Sequence, residues 1–168
     1  MWITQTLLLF SLMANVANAA ESLTESMALK VGVKIWYNES GGSVAGLTNW
    51  GKEEGFASLG IGHFIWYPDK IKPEHGESFS HLLQYFSIHG VNLPPWLRGD
   101  LGHHSPWRTR EAFRNAGKSK KMAELRQVLV ETIPLQAQFM VLRLAKTLPK
   151  MLWHVPEKDR NSIKQSIQ

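Results

Sequence analysis

The stretch Phe56-Ala57-Ser58-Leu59-Gly60-Ile61-Gly62-His63-Phe64-Ile65-Trp66-Tyr67 decides how the chain is read. It is a long apolar and aromatic run closed by Pro68-Asp69 and preceded by Gly46-Leu47-Thr48-Asn49-Trp50 and the turn-like Gly51-Lys52-Glu53-Glu54-Gly55. Extended segments around a glycine-flanked turn predict a β-hairpin. On its second strand, alternation places Phe56, Ser58, Gly60, Gly62, Phe64 and Trp66 on one face and Ala57, Leu59, Ile61, His63, Ile65 and Tyr67 on the other. Gly60 and Gly62 leave the first face half bare, and glycines inside a strand mark close approach by a ligand or another backbone. Two readings follow. A sugar ring lies on the smooth patch, with Ser58 at its edge and Trp50, Trp66 and Tyr67 offering aromatic faces, or a helix packs closely there. His63 is one of the substrate-side positions, although its face predicts a hydrogen-bonded core histidine. Gly60-Ile61-Gly62 is not a dinucleotide loop, because no helix follows it.

Upstream, Met27, Val31 and Ile35 recur every four residues within Leu23–Asn38, and Ser40-Gly41-Gly42 follows as a stop, so an amphipathic helix is predicted. Glu39 continues that ladder. A carboxyl on an apolar stripe, at the negative end of a helix dipole, is expected to favour its neutral form, which suits a general acid. Otherwise Glu39 ends the helix in water or binds the hairpin amides. Downstream, Phe79, Leu82, Leu83 and Phe86 predict a helix ended by Gly90, and Leu93–His104 reads as loop. Ser105-Pro106 predicts the start of a short helix carrying Trp107 and Phe113. Ser119 opens another, with Met122, Leu125 and Leu129 inward. From Leu135 to Leu148 apolar residues occur almost all round, predicting a central buried helix, and Glu157–Ile167 reads as a last polar helix without a cap. The fold class is therefore α+β, mainly α, with a small β-hairpin.

The 168 residues, 43% apolar and 20% charged, suffice for a globular core. Without cysteine the chain has no disulfide, thiolate metal site or cysteine nucleophile. The seven histidines show no zinc spacing, and neither a metal nor a cofactor is expected. Residues 1 to 105 carry 6 Lys/Arg against 9 Asp/Glu, whereas residues 106 to 168 carry 13 against 5, so the second half is the part suited to a polyanion. Met1–Ala19 has no charge; its apolar stretch Trp2–Met13 precedes Ala17-Asn18-Ala19, a small-x-small cleavage pattern. Residues 1–19 therefore read as a secretory signal, although the usual basic start is missing, and 20–168 as one domain. The apolar stretch is too short for a membrane span, which needs about 20 residues. Export makes the anionic cell wall or a membrane surface, not nucleic acid, the expected counterpart of the basic run Arg108, Arg110, Arg114, Lys118, Lys120 and Lys121, and a solvated basic face is the simpler reading.

Glu39, Gly46-Leu47 and the string from Phe56 to His63 resemble the lysozyme-like superfamily, specifically its phage-type muramidases. There a helix ending in the acid Glu runs into a hairpin that closes on Thr-Ile-Gly-Ile-Gly-His. The resemblance implies a domain that cleaves peptidoglycan, with Glu39 as the acid and Ser58 in the place of the hairpin threonine. It also implies a second carboxylate on the turn, for which Glu53 and Glu54 are the candidates. The stretch from Glu39 to Ser58 is a few residues longer than the phage pattern, and Lys52 stands where counting back from Ser58 puts the second acid. The resemblance covers about residues 27 to 67. The longer string Asn38–Gly42 through His63–Pro68 also resembles a family of exported bacterial proteins whose members run on past Gln168, which implies a shortened C-terminus here. A non-catalytic wall-binding or structural protein on the same fold is the alternative.

Overall fold

A computed structural model describes residues 25–71, 76–98 and 104–153, with side chains left aside at 25, 145 and 148–153. The predicted signal at 1–19 and the polar helix at 157–167 lie outside the described residues. The chain divides into two compact units. The first, Glu25–Phe139, holds everything below except the continuation of the last helix from Met140. The architecture is α+β and mainly helical, with a small antiparallel sheet of three strands in the order β1-β2-β3.

Helix α1 spans Glu25–Ser40. Its two glycines stop it as expected: Gly41 and Gly42 take φ of +62° and +71°, and their N–H groups donate to Tyr37 O (2.9 Å) and Trp36 O (3.4 Å). Its buried side, however, is not the predicted ladder. Met27 and Val31 are 52% and 44% exposed, whereas Ala28 is fully buried and Gly32 is buried. The cause is size. A Cβ on Gly32 would stand 2.6 Å from Ile133 Cγ2 and 3.0 Å from Ile133 O. Small residues at 28 and 32 thus let the last helix approach closely, turning the contact face one position, about 100°, from the ladder.

Strands β1 (Thr48–Asn49), β2 (Ala57–Leu59) and β3 (Phe64–Trp66) follow. The run from Phe56 to Tyr67 is therefore two strands and not one. It folds back at Gly60–His63, so Leu59 faces Phe64, Ser58 faces Ile65 and Ala57 faces Trp66. The fold-back is set by backbone conformation: Gly60 has φ +67° and His63 φ +47°, the left-handed region that a continuous strand excludes. The single alternating face predicted for positions 56 to 66 does not exist.

Helix α2 (Phe79–Ile88) buries Phe79, Leu82, Leu83 and Phe86 as predicted. Ser78 precedes it, but its hydroxyl accepts from Ile65 N (2.8 Å) and Ser78 N donates to Ile65 O (3.1 Å), so this serine anchors β3. A 3₁₀ turn, Pro95–Leu97, interrupts the predicted loop. Helix α3 is Arg110–Asn115, capped by Thr109, whose Oγ1 accepts from Ala112 N (3.1 Å). Ser105 is not the cap, because its hydroxyl is spent on the backbone of Trp107 two residues on. Helix α4 (Lys120–Glu131) starts at the predicted Ser119 and buries Met122, Leu125, Val128 and Leu129. Helix α5 runs from Ile133 to Trp153. Its first two turns carry the buried Ile133, Gln136, Ala137 and Phe139, while Leu144 is 54% exposed, so burial on most sides ends early.

The core on one side of the sheet is aromatic. Trp66 lies 4.8 Å from Phe79, 6.2 Å from Trp107 and 6.5 Å from Trp96, between ring centroids, and Trp107 meets Phe113 at 5.3 Å. Each such buried side chain contributes about 2–3 kcal/mol from apolar transfer, which is how a sheet of such short strands is held.

Candidate active site

The C-terminal turn of α1 brings Glu39 to the sheet. Past the glycine stop, Ser43 N donates to Ser40 O (3.1 Å), Trp36 Nε1 donates to Ser43 O (3.1 Å), and the 3₁₀ turn Ala45–Leu47 leads into β1. Gly46 is glycine because a Cβ there would collide with Ser40. Leu47 O then accepts from Gly60 N (2.8 Å), so the helix end, the start of β1 and the β2–β3 turn meet at one end of the sheet. There Glu39 Oε2 lies 3.8 Å from His63 Nε2, with the two side chains 52% and 55% exposed. Glu39 is thus neither in an apolar pocket nor on a buried stripe, and His63 is not a core histidine. The left-handed conformation at 63 aims its ring outward at the helix end.

Ser58 lies on the central strand β2 and is 9% exposed. Glu53 and Glu54 lie at the other end of the sheet. The pairings of Thr48 with Leu59 and Asn49 with Ser58 put the loop of residues 50–56 about 10 Å of strand away from the Gly60–His63 turn. Glu54 closes its own loop: Oε2 accepts from Gly51 N (3.0 Å) and its backbone O accepts from Trp50 Nε1 (2.7 Å). Glu53 is exposed.

The aromatic and glycine positions proposed for a sugar are mostly inside. Trp66 is fully buried, Tyr67 3% and Trp50 5% exposed, and their rings pack on Phe79, Phe56 and Phe113. No ring face is left on them for a ligand. Gly60 is buried and Gly62 half-buried in the turn, so they form no smooth strand face.

What approaches Gly60 is Gln136, a residue no motif pointed to. This fully buried amide accepts at Oε1 from Ile61 N (2.9 Å) and donates at Nε2 to Leu129 O (2.6 Å) and Thr132 Oγ1 (3.1 Å). It holds the turn that carries His63, and thereby the spacing to Glu39. Its signal in the sequence was a lone polar residue on the inward side of an apolar helix. Arg126 supports the same end, donating from Nε to Thr48 Oγ1 (3.0 Å) and from Nη1 to Gly117 O (2.9 Å). Glu77 was also missed. Its Oε1 is buried without a hydrogen-bond partner among the described residues, and burial pushes its carboxyl up to about 7 against a hydrogen bond from the Tyr67 backbone.

Among the described residues no group of three or more His, Asp and Glu side chains is placed to hold a metal, and no helix is long and apolar enough to cross a membrane. Compared with known proteins, the chain matches no family model, no curated protein and no solved structure.

Proposed function

We propose that the protein is an exported, lysozyme-like glycosidase that cleaves the glycan backbone of peptidoglycan, with Glu39 as general acid. The observation that carries this reading is the position of Glu39: an accessible carboxyl at a helix end, beside the turn of a three-stranded sheet, with Ser58 on the central strand. A general acid at that position protonates the leaving oxygen of a glycan laid across the helix end. Export rests on the uncharged apolar start of the chain and its small-residue site.

Of the two turn acids, Glu53 is the better water-directing base, because Glu54 is occupied with Gly51. The two ends of the sheet are about 10 Å of strand apart, more than the roughly 5 Å a covalent intermediate needs, so a reaction that depends on Glu53 is single-displacement hydrolysis. An intramolecular lytic transglycosylase needs only Glu39. Incubation of purified peptidoglycan with the protein is expected to release soluble fragments, and Glu39→Gln to slow release by about 10²–10⁴ with an unchanged melting curve. Reducing ends with dependence on Glu53 mean hydrolysis, and 1,6-anhydro ends without it mean transglycosylation. No release by a cooperatively melting wild-type protein overturns the reading.

The burial of Trp50, Trp66 and Tyr67 favours a second reading, a non-catalytic wall-binding protein on the same fold. It predicts retention on insoluble peptidoglycan without release, unaffected by Glu39→Gln.

A further inference from the structure

A cleft of about 360 Å³ opens beyond β3, at the end of that strand away from His63, lined by Asp69, Trp96, His104, Arg108 and Lys121. Its wall is fixed. Ser105 N donates to Tyr67 O (2.8 Å), Ser105 bridges to Pro68, and the Ser105 hydroxyl is bonded to Trp107. Its floor is fixed too. Trp96 is half-buried, donates from Nε1 to Glu124 Oε2 (2.7 Å), and packs on Trp66 and Trp107 at 6.5 and 6.0 Å. An indole so held is a preformed platform with little side-chain entropy left to lose.

The rim is charged. Lys121 Nζ lies 5.6 Å from the Trp96 ring centre, over its face. Arg108 is exposed and pairs with no acid among the described residues, His104 is exposed beside it, and among the described residues Asp69 is the one carboxylate lining the cleft. Two permanent cations beside an aromatic floor call for an anion attached to a ring. The carboxylate of Asp69 calls for hydroxyl groups on that ring, and it disfavours a chain of phosphodiesters, which would bring charge to every part of the cleft.

We propose that this cleft binds an acidic saccharide, a sugar ring bearing a carboxylate or phosphate. The acid group meets Arg108 and draws the Lys121 ammonium off the Trp96 ring, the apolar face of the sugar takes its place against Trp96, and a hydroxyl donates to Asp69. The volume takes one or two sugar units. This site is separate from Glu39 and does not depend on any cleavage there.

Calorimetric titration of the full chain with glucose 6-phosphate, glucuronate, glucose and inorganic phosphate tests the proposal. Both acidic sugars are expected to bind at least about tenfold tighter than glucose or inorganic phosphate. Arg108→Gln and Lys121→Gln, both at exposed side chains, are each expected to weaken them by about tenfold with unchanged melting. Asp69→Ala is expected to reduce glucose 6-phosphate towards the affinity of inorganic phosphate. Glu39→Gln is expected to change none of these affinities. Displacement of glucose 6-phosphate by soluble peptidoglycan fragments assigns the site to a wall polymer, and displacement by free sugar acids alone assigns it to a small metabolite; both support the acidic sugar. Equal affinity for phosphate and its sugar ester, or binding indifferent to Arg108 and Lys121 together, overturns it.

Discussion

At the scale of single residues, the turn that carries His63 depends on one contact between a backbone without a side chain and an amide held by three hydrogen bonds. A Cβ on Gly60 would collide with Gln136 Oε1, and φ at 60 is +67°. Gly60→Ala therefore adds left-handed strain of about 1–2 kcal/mol to a steric collision and is expected to destabilise by about 2–4 kcal/mol. Gln136→Ala leaves the buried Ile61 N–H without its acceptor and opens a void, with an expected cost of about 3–5 kcal/mol. The two costs are not independent, because without the amide the alanine at 60 loses its worst collision and meets only Phe64 Cδ2, at 3.2 Å. Urea denaturation of both single variants and the double variant is expected to show a double-mutant cost at least about 1 kcal/mol below the sum. Simple addition would mean that the strain lies in the backbone alone.

At the scale of elements, α1 shows where pattern reading fails and why. A ladder of Met27, Val31 and Ile35 is the larger apolar signal, but the neighbouring Ala28 and Gly32 permit the closer approach, and backbone proximity decided the buried face. Gly32→Ala is expected to destabilise by about 1–3 kcal/mol, because overpacking against Ile133 outweighs the roughly 1 kcal/mol that alanine gains in helix propensity. Val31→Lys, on the exposed side, is expected to stay within about 0.5 kcal/mol of wild type. Thermal melts of the two variants check both; the reverse ranking would restore the ladder as the contact face. The elements legible in advance were those with a local cause: the Gly41-Gly42 stop, the Ser119 cap, and the inward residues of α2 and α4. The β2–β3 fold-back was illegible because the side chain that holds its left-handed turn, Gln136, lies 75 residues along the chain from Ile61. The candidate site divides the same way. Glu39 at a helix end could be read from spacing, whereas the approach of His63 to it required the turn, and the burial of Trp50 and Trp66 required the whole aromatic core.

At the scale of the molecule, the basic second half contributes Arg108 and Lys121 to a cleft that the first half closes with Asp69, so the charge asymmetry is used locally and not only as an overall field. Stability as a whole is expected to carry a pH signature of Glu77, next to the residue that anchors β3. Its carboxyl titrates at about 7 in the folded protein against an ordinary 4.5, with burial as the cause. The folded state therefore binds more protons than the unfolded state between those two values. Stability from this group is full below about pH 4.5, falls as pH rises through the window, and levels off above about 7. Unscreened, the shift would correspond to about 3 kcal/mol; the carboxyl is only half-buried, so about 1–2 kcal/mol is expected. The difference between wild type and Glu77→Gln isolates this carboxyl from every other titrating group. In urea melts from pH 4 to 8, the variant is expected to gain on the wild type steadily between pH 4.5 and 7 and to hold a constant difference above. A difference that does not vary with pH would mean that Glu77 stays ionised in the fold and finds its partners in water.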